Sequence, residues 1–227
     1  LSENGSLTYV LGDILAVEGG LVWVDQNGDV ESLPFPPGLY QSPRLSPDGK
    51  QLVITKINGQ PNLWIYGMER GTVRRFTDEE GAEYWAIWTP DGKSIVFNST
   101  RSEGPGASLV WKPADGSSPA EQFAVGEYHQ QPKSWSADGK VMVLTEGLNP
   151  ESGLDIWMLK LDGDRKPEPF LHSRYNEMHP IFSPDGRWIA YATDESGREE
   201  VYVRPYPGPG NILTISTDGG MEPVWAP

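Results

Sequence analysis

Short apolar runs recur along the chain, each bounded by Gly, Pro, Asp or Asn. Examples are Leu52-Val53-Ile54, Ile95-Val96-Phe97, Val141-Met142-Val143-Leu144 and Trp188-Ile189-Ala190-Tyr191-Ala192. Runs of this length, rich in β-branched and aromatic residues and closed by turn residues, predict strands buried on both faces. Each is followed by an apolar–aromatic pair: Leu63-Trp64, Val110-Trp111, Ile156-Trp157 and Val201-Tyr202. Taking the last repeat as a template, strand a is expected over 179–182, b over 188–193, c over 199–204 and d over 212–217. The other repeats give b over 52–56, 95–98 and 141–145, c over 62–66, 108–111 and 155–159, and d over 73–77, 121–125 and 168–172. No stretch reads as a long helix.

The first two strands of each repeat are joined by one motif. It reads Ser46-Pro47-Asp48-Gly49-Lys50, Thr89-Pro90-Asp91-Gly92-Lys93, Ser136-Ala137-Asp138-Gly139-Lys140 and Ser183-Pro184-Asp185-Gly186-Arg187. A weaker copy, Ser2-Glu3-Asn4-Gly5-Ser6, opens the chain, and Ala226-Pro227 begins another. These copies start at 2, 46, 89, 136, 183 and 226, with spacings of 44, 43, 47, 47 and 43. Pro presets φ, Gly accepts a positive φ and Asp bonds its own backbone, which is hairpin-turn chemistry. Self-similarity at about 40–50 residues with four strands per repeat predicts a β-propeller.

The two ends are expected to complete each other. Stretches 6–11, 21–25 and 30–34 read as strands b, c and d without a full strand a, and 221–225 reads as a strand a with nothing after it. The sequence therefore predicts an all-β propeller of five four-stranded blades, one domain over 1–227. Its ring is closed where the C-terminal strand a joins the N-terminal strands b, c and d, leaving no open edge.

The spaced turns and c-strand aromatics resemble TolB-like β-propellers across essentially the whole chain. The carrying segments are Ser42 to Lys50, Leu159-Lys160-Leu161-Asp162-Gly163, Glu199 to Pro207 and Gly219-Gly220-Met221-Glu222-Pro223-Val224-Trp225. The likeness extends to the C-terminal propeller of some bacterial serine/threonine protein kinases. No Gly-rich loop with a following strand Lys, no His-Arg-Asp and no Asp-Phe-Gly is present, so a kinase parent implies a sensing or docking part. The resemblance implies a bacterial protein acting in the periplasm or otherwise outside the cytoplasm, as a platform for a protein or peptide partner.

Composition narrows the classes. The 26 Gly and 21 Pro fall at regular intervals between apolar runs, and nine Trp with nine Tyr argue against disorder. There is no Cys, which excludes disulfides, thiolate metal sites and a Cys nucleophile. A net charge of −14 without a basic patch disfavours nucleic acid. No apolar run reaches about 18 residues, so no membrane-inserting helix is expected. A monomer is expected. Leu1 is not an initiator Met and no charged-then-apolar leader precedes it. The expectation is that a leader or a preceding domain has been removed, or that this is a fragment of a longer protein.

In a propeller the loops entering each strand a line one mouth of the channel. Positions four to six residues before each turn motif are therefore the candidate ligand site: Tyr40, Gln41, Glu83, Tyr84, Gln130, Gln131, Glu177, His179 and Glu222. Ser42, Trp85, Pro132, Met178, Gly220 and Met221 fill the remaining places. This mixture suits a small polar ligand, a sugar, a peptide side chain or a hydrated cation, or simply solvates a water-filled channel. No cofactor is expected. Glu177, His179 and Glu222 have metal-ligand chemistry without a metal-motif spacing. No Gly-x-Ser-x-Gly elbow or triad is marked, and Asp48, Asp91, Asp138 and Asp185 are expected to cap turns. The expectation is a non-catalytic binding module for a protein or peptide. Alternatives are a metal-dependent hydrolase or lactonase acting at the channel mouth, and a glycan-binding propeller using Tyr40, Tyr84 and Trp85.

Overall fold

The computed structural model describes residues 7–11, 19–25, 27–77, 81–101, 108–126, 128–149 and 152–226. The opening turn copy, 2–6, and Glu79 with Glu80 lie outside them. Two compact units divide the chain: Leu1–Arg101 with Trp111–Glu121 and Ala226–Pro227, and Ser102–Val110 with Gln122–Trp225.

The described residues form strands and turns and no helix. Strands β1 (Leu7–Leu11), β2 (Gly20–Val24) and β3 (Val30–Ser32) make a three-stranded sheet in that order. Four four-stranded sheets follow. The first holds β4 (Leu39–Leu45), β5 (Gln51–Asn58), β6 (Gln60–Gly67) and β7 (Thr72–Arg75). The next holds β8 (Glu83–Trp88), β9 (Ser94–Ser99), β10 (Ser108–Pro113) and β11 (Glu121–Ala124). β12 (His129–Trp135), β13 (Val141–Asn149), β14 (Gly153–Lys160) and β15 (Glu168–Leu171) make another. The last is β16 (Glu177–Phe182), β17 (Trp188–Thr193), β18 (Glu200–Pro205) and β19 (Leu213–Thr214).

The turn motif does what its residues dictate. Ser46 Oγ donates to Asp48 Oδ1 at 2.6 Å, the Lys50 N–H donates to the same carboxylate oxygen at 3.1 Å, and the Gln51 N–H donates to Ser46 Oγ at 2.9 Å. Gly49 closes the turn at φ +68°, a conformation a Cβ disfavours. Thr89, Ser136 and Ser183 repeat the arrangement with Asp91, Asp138 and Asp185 at 2.7, 2.7 and 2.6 Å. These bonds favour the ionised form, so all four carboxyls lie below the usual range. Asp185, which also meets Arg187, falls to about 2.

The second strand of each four-stranded sheet is buried on both faces, as its unbroken apolar run requires. Val53, Ile54, Ile95, Val96, Phe97, Met142, Val143, Leu144 and Ile189 are fully enclosed. Each such side chain contributes about 1.5–3 kcal/mol relative to exposure. Polar bonds tie the sheets of the first unit to each other, Lys112 Nζ to the Phe76 carbonyl at 3.2 Å among them, and in the second unit tie the stretch at Trp225 to β16. Trp88 Nε1 donates to the Arg44 carbonyl at 3.0 Å, and Trp225 Nε1 to that of Ile181 at 3.2 Å.

The expected five four-stranded blades are not what forms: four sheets have four strands and the N-terminal sheet has three. Stretch 221–225 joins no strand, although Glu222 has the φ of +53° and Trp225 the carbonyl tie seen in inner strands. Pro223 lacks an N–H, and no tight turn links 221–225 to a second strand, so the ladder has few donors and a large entropy of closure. The last d strand is also cut from the expected 212–217 to two residues.

Candidate ligand-binding site

The inner strands β4, β8 and β16 each contain one extra residue. Pairing runs Gln41↔Thr55 then Arg44↔Val53, Tyr84↔Asn98 then Ile87↔Val96, and Met178↔Ala192 then Ile181↔Ala190. Two residues therefore oppose one, which is a β-bulge. At its centre stand Ser42, Trp85 and His179, with φ of +52°, +50° and +55°. Proline follows two of them, at Pro43 and Pro180. A residue without an N–H fits a place where the ladder has no acceptor to offer. In β12 the equivalent residue is Pro132, whose ring forbids a positive φ, and the bulge moves to Pro132/Ser134.

Strand alternation, followed by the bulge, separates the candidate residues into two sets. Those six places before each turn are buried: Tyr40, Glu83, Gln130 and Glu177. Tyr40 donates its hydroxyl to the Pro36 carbonyl at 2.7 Å, and burial raises its pKa. Glu83, with none of its surface exposed, meets Arg101 Nε at 3.2 Å. Gln130 Nε2 donates to Glu146 Oε2 at 3.2 Å. A Cβ on Gly126 would come within 2.2 Å of the Gln130 amide and 2.6 Å of Glu146, so only glycine fits beside that pair.

Glu177 accepts the Ser173 hydroxyl on one oxygen, while Oε2 is buried without a partner. Burial pushes its carboxyl above the usual range, the Ser173 bond opposes this, and Asp155 and Asp194 add to the upward push. Asp155 Oδ2 takes Ser152 Oγ at 2.5 Å and His172 Nδ1 at 3.1 Å, leaving Oδ1 buried and unpartnered. Consecutive residues, His172 and Ser173, thus serve two buried carboxyls. His129 is held below the usual histidine range by burial.

The set four and five places before the turns faces outward, except for the buried Pro132. Within the first unit, Gln41 is exposed, and Tyr84 and Trp85 are half-buried with ring centroids 5.2 Å apart. In the second unit, Gln131, Met178 and His179 are half-buried and Met221 and Glu222 exposed. Among the described residues no group of three or more His, Cys, Asp or Glu could hold a metal ion, so Glu177, His179 and Glu222 do not form one. Sequence reasoning placed all nine candidates at one depth. It missed Asp155 and Glu146 as the buried company of Glu177 and Gln130, and the only signal for the split was the recurring proline after the bulge.

A family model described as the TolB beta propeller domain matches residues 26–227. The chain belongs to the TolB beta-propeller family. Among solved structures, this TolB-family chain is similar to TolB from Acinetobacter baumannii, with a TM-score of 0.78 and 18% identity over 92% of this chain and 52% of that one. It is also similar to a putative TolB from Agrobacterium tumefaciens, with a TM-score of 0.71 and 20% identity over 86% of this chain and 69% of that one. At such identities the likeness shows the fold. One curated relative, the uncharacterized peptidase YuxL of Bacillus subtilis (strain 168), is 31% identical over 87 residues, or 37% of this chain and 13% of YuxL. The chain thus spans about half of the first TolB and a small part of YuxL.

Proposed function

We propose that this TolB-family propeller is a non-catalytic binding module that engages a protein or peptide segment through the outward residues of its inner strands. The observation carrying this reading is the repeated bulge. With strand alternation ahead of it, the bulge leaves Gln41, Tyr84, Trp85, Gln131 and His179 at least partly exposed, while Tyr40, Glu83, Gln130 and Glu177 are buried in internal bonds. Rotamer-poor aromatics such as Tyr84 and Trp85 are efficient anchors in protein interfaces. Backbone held at positive φ outside glycine persists where surrounding structure over-determines it, commonly at binding sites.

The test is selection of peptides from a display library, followed by affinity measurement on Tyr84→Ala/Trp85→Gly. Glycine suits the φ of +50° at Trp85, so the double variant keeps its backbone while losing both rings. Enriched peptides should bind it at least tenfold more weakly. Equal binding, or turnover of a substrate without peptide binding, would oppose the reading.

The YuxL likeness favours a second reading, in which the chain is the propeller part of a larger peptidase. The same outward residues would then guide a peptide substrate, and the catalytic groups would lie outside this chain.

A further inference from the structure

A second surface feature stands on the sheet of β4 to β7, apart from the bulges. Residues Lys56 and Asn58 of β5, Gln60, Asn62 and Trp64 of β6 and Arg75 of β7 line one cleft of ≈ 100 Å³. They share a face because the strands pair Lys56↔Asn62, Asn58↔Gln60 and Trp64↔Arg75, with alternate residues on the same side. Tyr40 and Ile54, on that face, are buried in the core cluster below it.

The electrostatics of the cleft run against those of the chain. The protein carries 32 acidic and 18 basic residues, yet both charged residues here are cations. Lys56 Nζ stands 5.1 Å from the Trp64 ring and 5.9 Å from the Tyr40 ring, and among the described residues no carboxylate pairs with it. Arg75 is held by the Thr77 carbonyl at 2.6 Å through Nε and by Asn62 Oδ1 through one terminal nitrogen. Among the described residues its remaining terminal nitrogen has no partner. Asn62 is fixed in turn by donating to the Gln60 carbonyl at 2.6 Å.

We infer that the cleft between Lys56 and Arg75 binds the carboxylate group of a ligand, with Asn58 and Gln60 meeting its flanking hydroxyl or amide groups. The volume, worth about three waters, admits a terminal group and not a whole oligosaccharide or drug-sized molecule. A singly charged anion suits it better than a phosphate dianion. Arg75 has only one terminal nitrogen to offer and so cannot grip bidentately, and the field of a −14 chain repels a dianion more strongly. Two sources share this chemistry, a sugar acid and a free peptide C-terminus. The inference is independent of the proposal for the inner strands.

Titration calorimetry at low salt tests it with glucuronate against glucose, and N-acetyl-alanyl-alanine against its C-terminal amide. At least one acid should bind saturably at one site, about tenfold or more tighter than its neutral counterpart, and the arm that binds identifies the source. Lys56→Met and Arg75→Gln should each weaken that acid by about tenfold with the unfolding temperature unchanged. Added salt should weaken it as well. Saturable binding of neither acid, inorganic phosphate binding as tightly, or both variants binding like the parent would overturn the inference.

Discussion

At the scale of single residues, two kinds of position carry the argument: carboxylates that finish a turn, and side chains held at positive φ. The turn aspartates are exposed, and their pKa values are lowered first by a Ser or Thr hydroxyl. A carboxyl lowered by folding contributes stability that is complete above its unfolded value, near 3.8, and lost as pH falls through the folded one. For Asp185 that window runs from 3.8 down to about 2. Denaturant melts of the Asp48→Asn/Asp91→Asn/Asp138→Asn/Asp185→Asn variant should therefore show a flatter loss of stability below about pH 4 than the parent. Glu177 has the opposite sign. Its carboxyl is raised, so the folded state binds more protons, and stability falls as pH rises from the ordinary value of 4.5 through the raised one. Glu177→Gln should leave the melting temperature near the parent's at pH 4 and raise it at pH 7; the reverse order would contradict the assignment. Ser42 at φ +52° supplies a backbone test. Ser42→Gly should match or exceed the parent in stability, while Ser42→Val should lose about 1–3 kcal/mol.

At the scale of elements, the buried strands and their turns were legible because both rest on local chemistry. Leu52–Ile54 and Ile95–Phe97 have unbroken apolar runs, and Ser-Pro-Asp-Gly needs only its own bonds to close. The inner strands were legible in place but not in depth. A residue count six, five and four before the turn puts Glu177, Met178 and His179 side by side; strand alternation sends Glu177 inward and Met178 outward, and the bulge that follows keeps His179 outward as well. Its signal was Pro43 and Pro180 inside what otherwise reads as a ladder strand. The closing strand was illegible for a different reason. Stretch 221–225 has the inner-strand pattern, but a ladder also requires a partner brought to it, and pattern alone does not supply one. Gly126→Ala tests the element-level account of β12. It should cost about 1–3 kcal/mol by prising Gln130 from Glu146 and leaving buried polar groups unpaired, while Gly116→Ala, where no atom lies within 4 Å, costs only its positive-φ strain of φ +76°.

At the scale of the whole molecule, the TolB-family fold supplies repeated sheets on which the loops and inner strands differ while the turns stay constant. A net charge of −14 keeps such a chain soluble at the cost of self-repulsion. Added monovalent salt should raise its melting temperature, and by less at pH 4.6, near the sequence pI. The proposed binding role rests on the outward set, and amide hydrogen exchange with and without a selected peptide tests it most directly. Bound peptide should slow exchange at Gln41 and Ser42 of β4, at Tyr84 and Trp85 of β8, or at Gln131, Met178 and His179 of β12 and β16. The outer strands β7, β11, β15 and β19 should be unchanged. Protection confined to those outer strands would contradict the account.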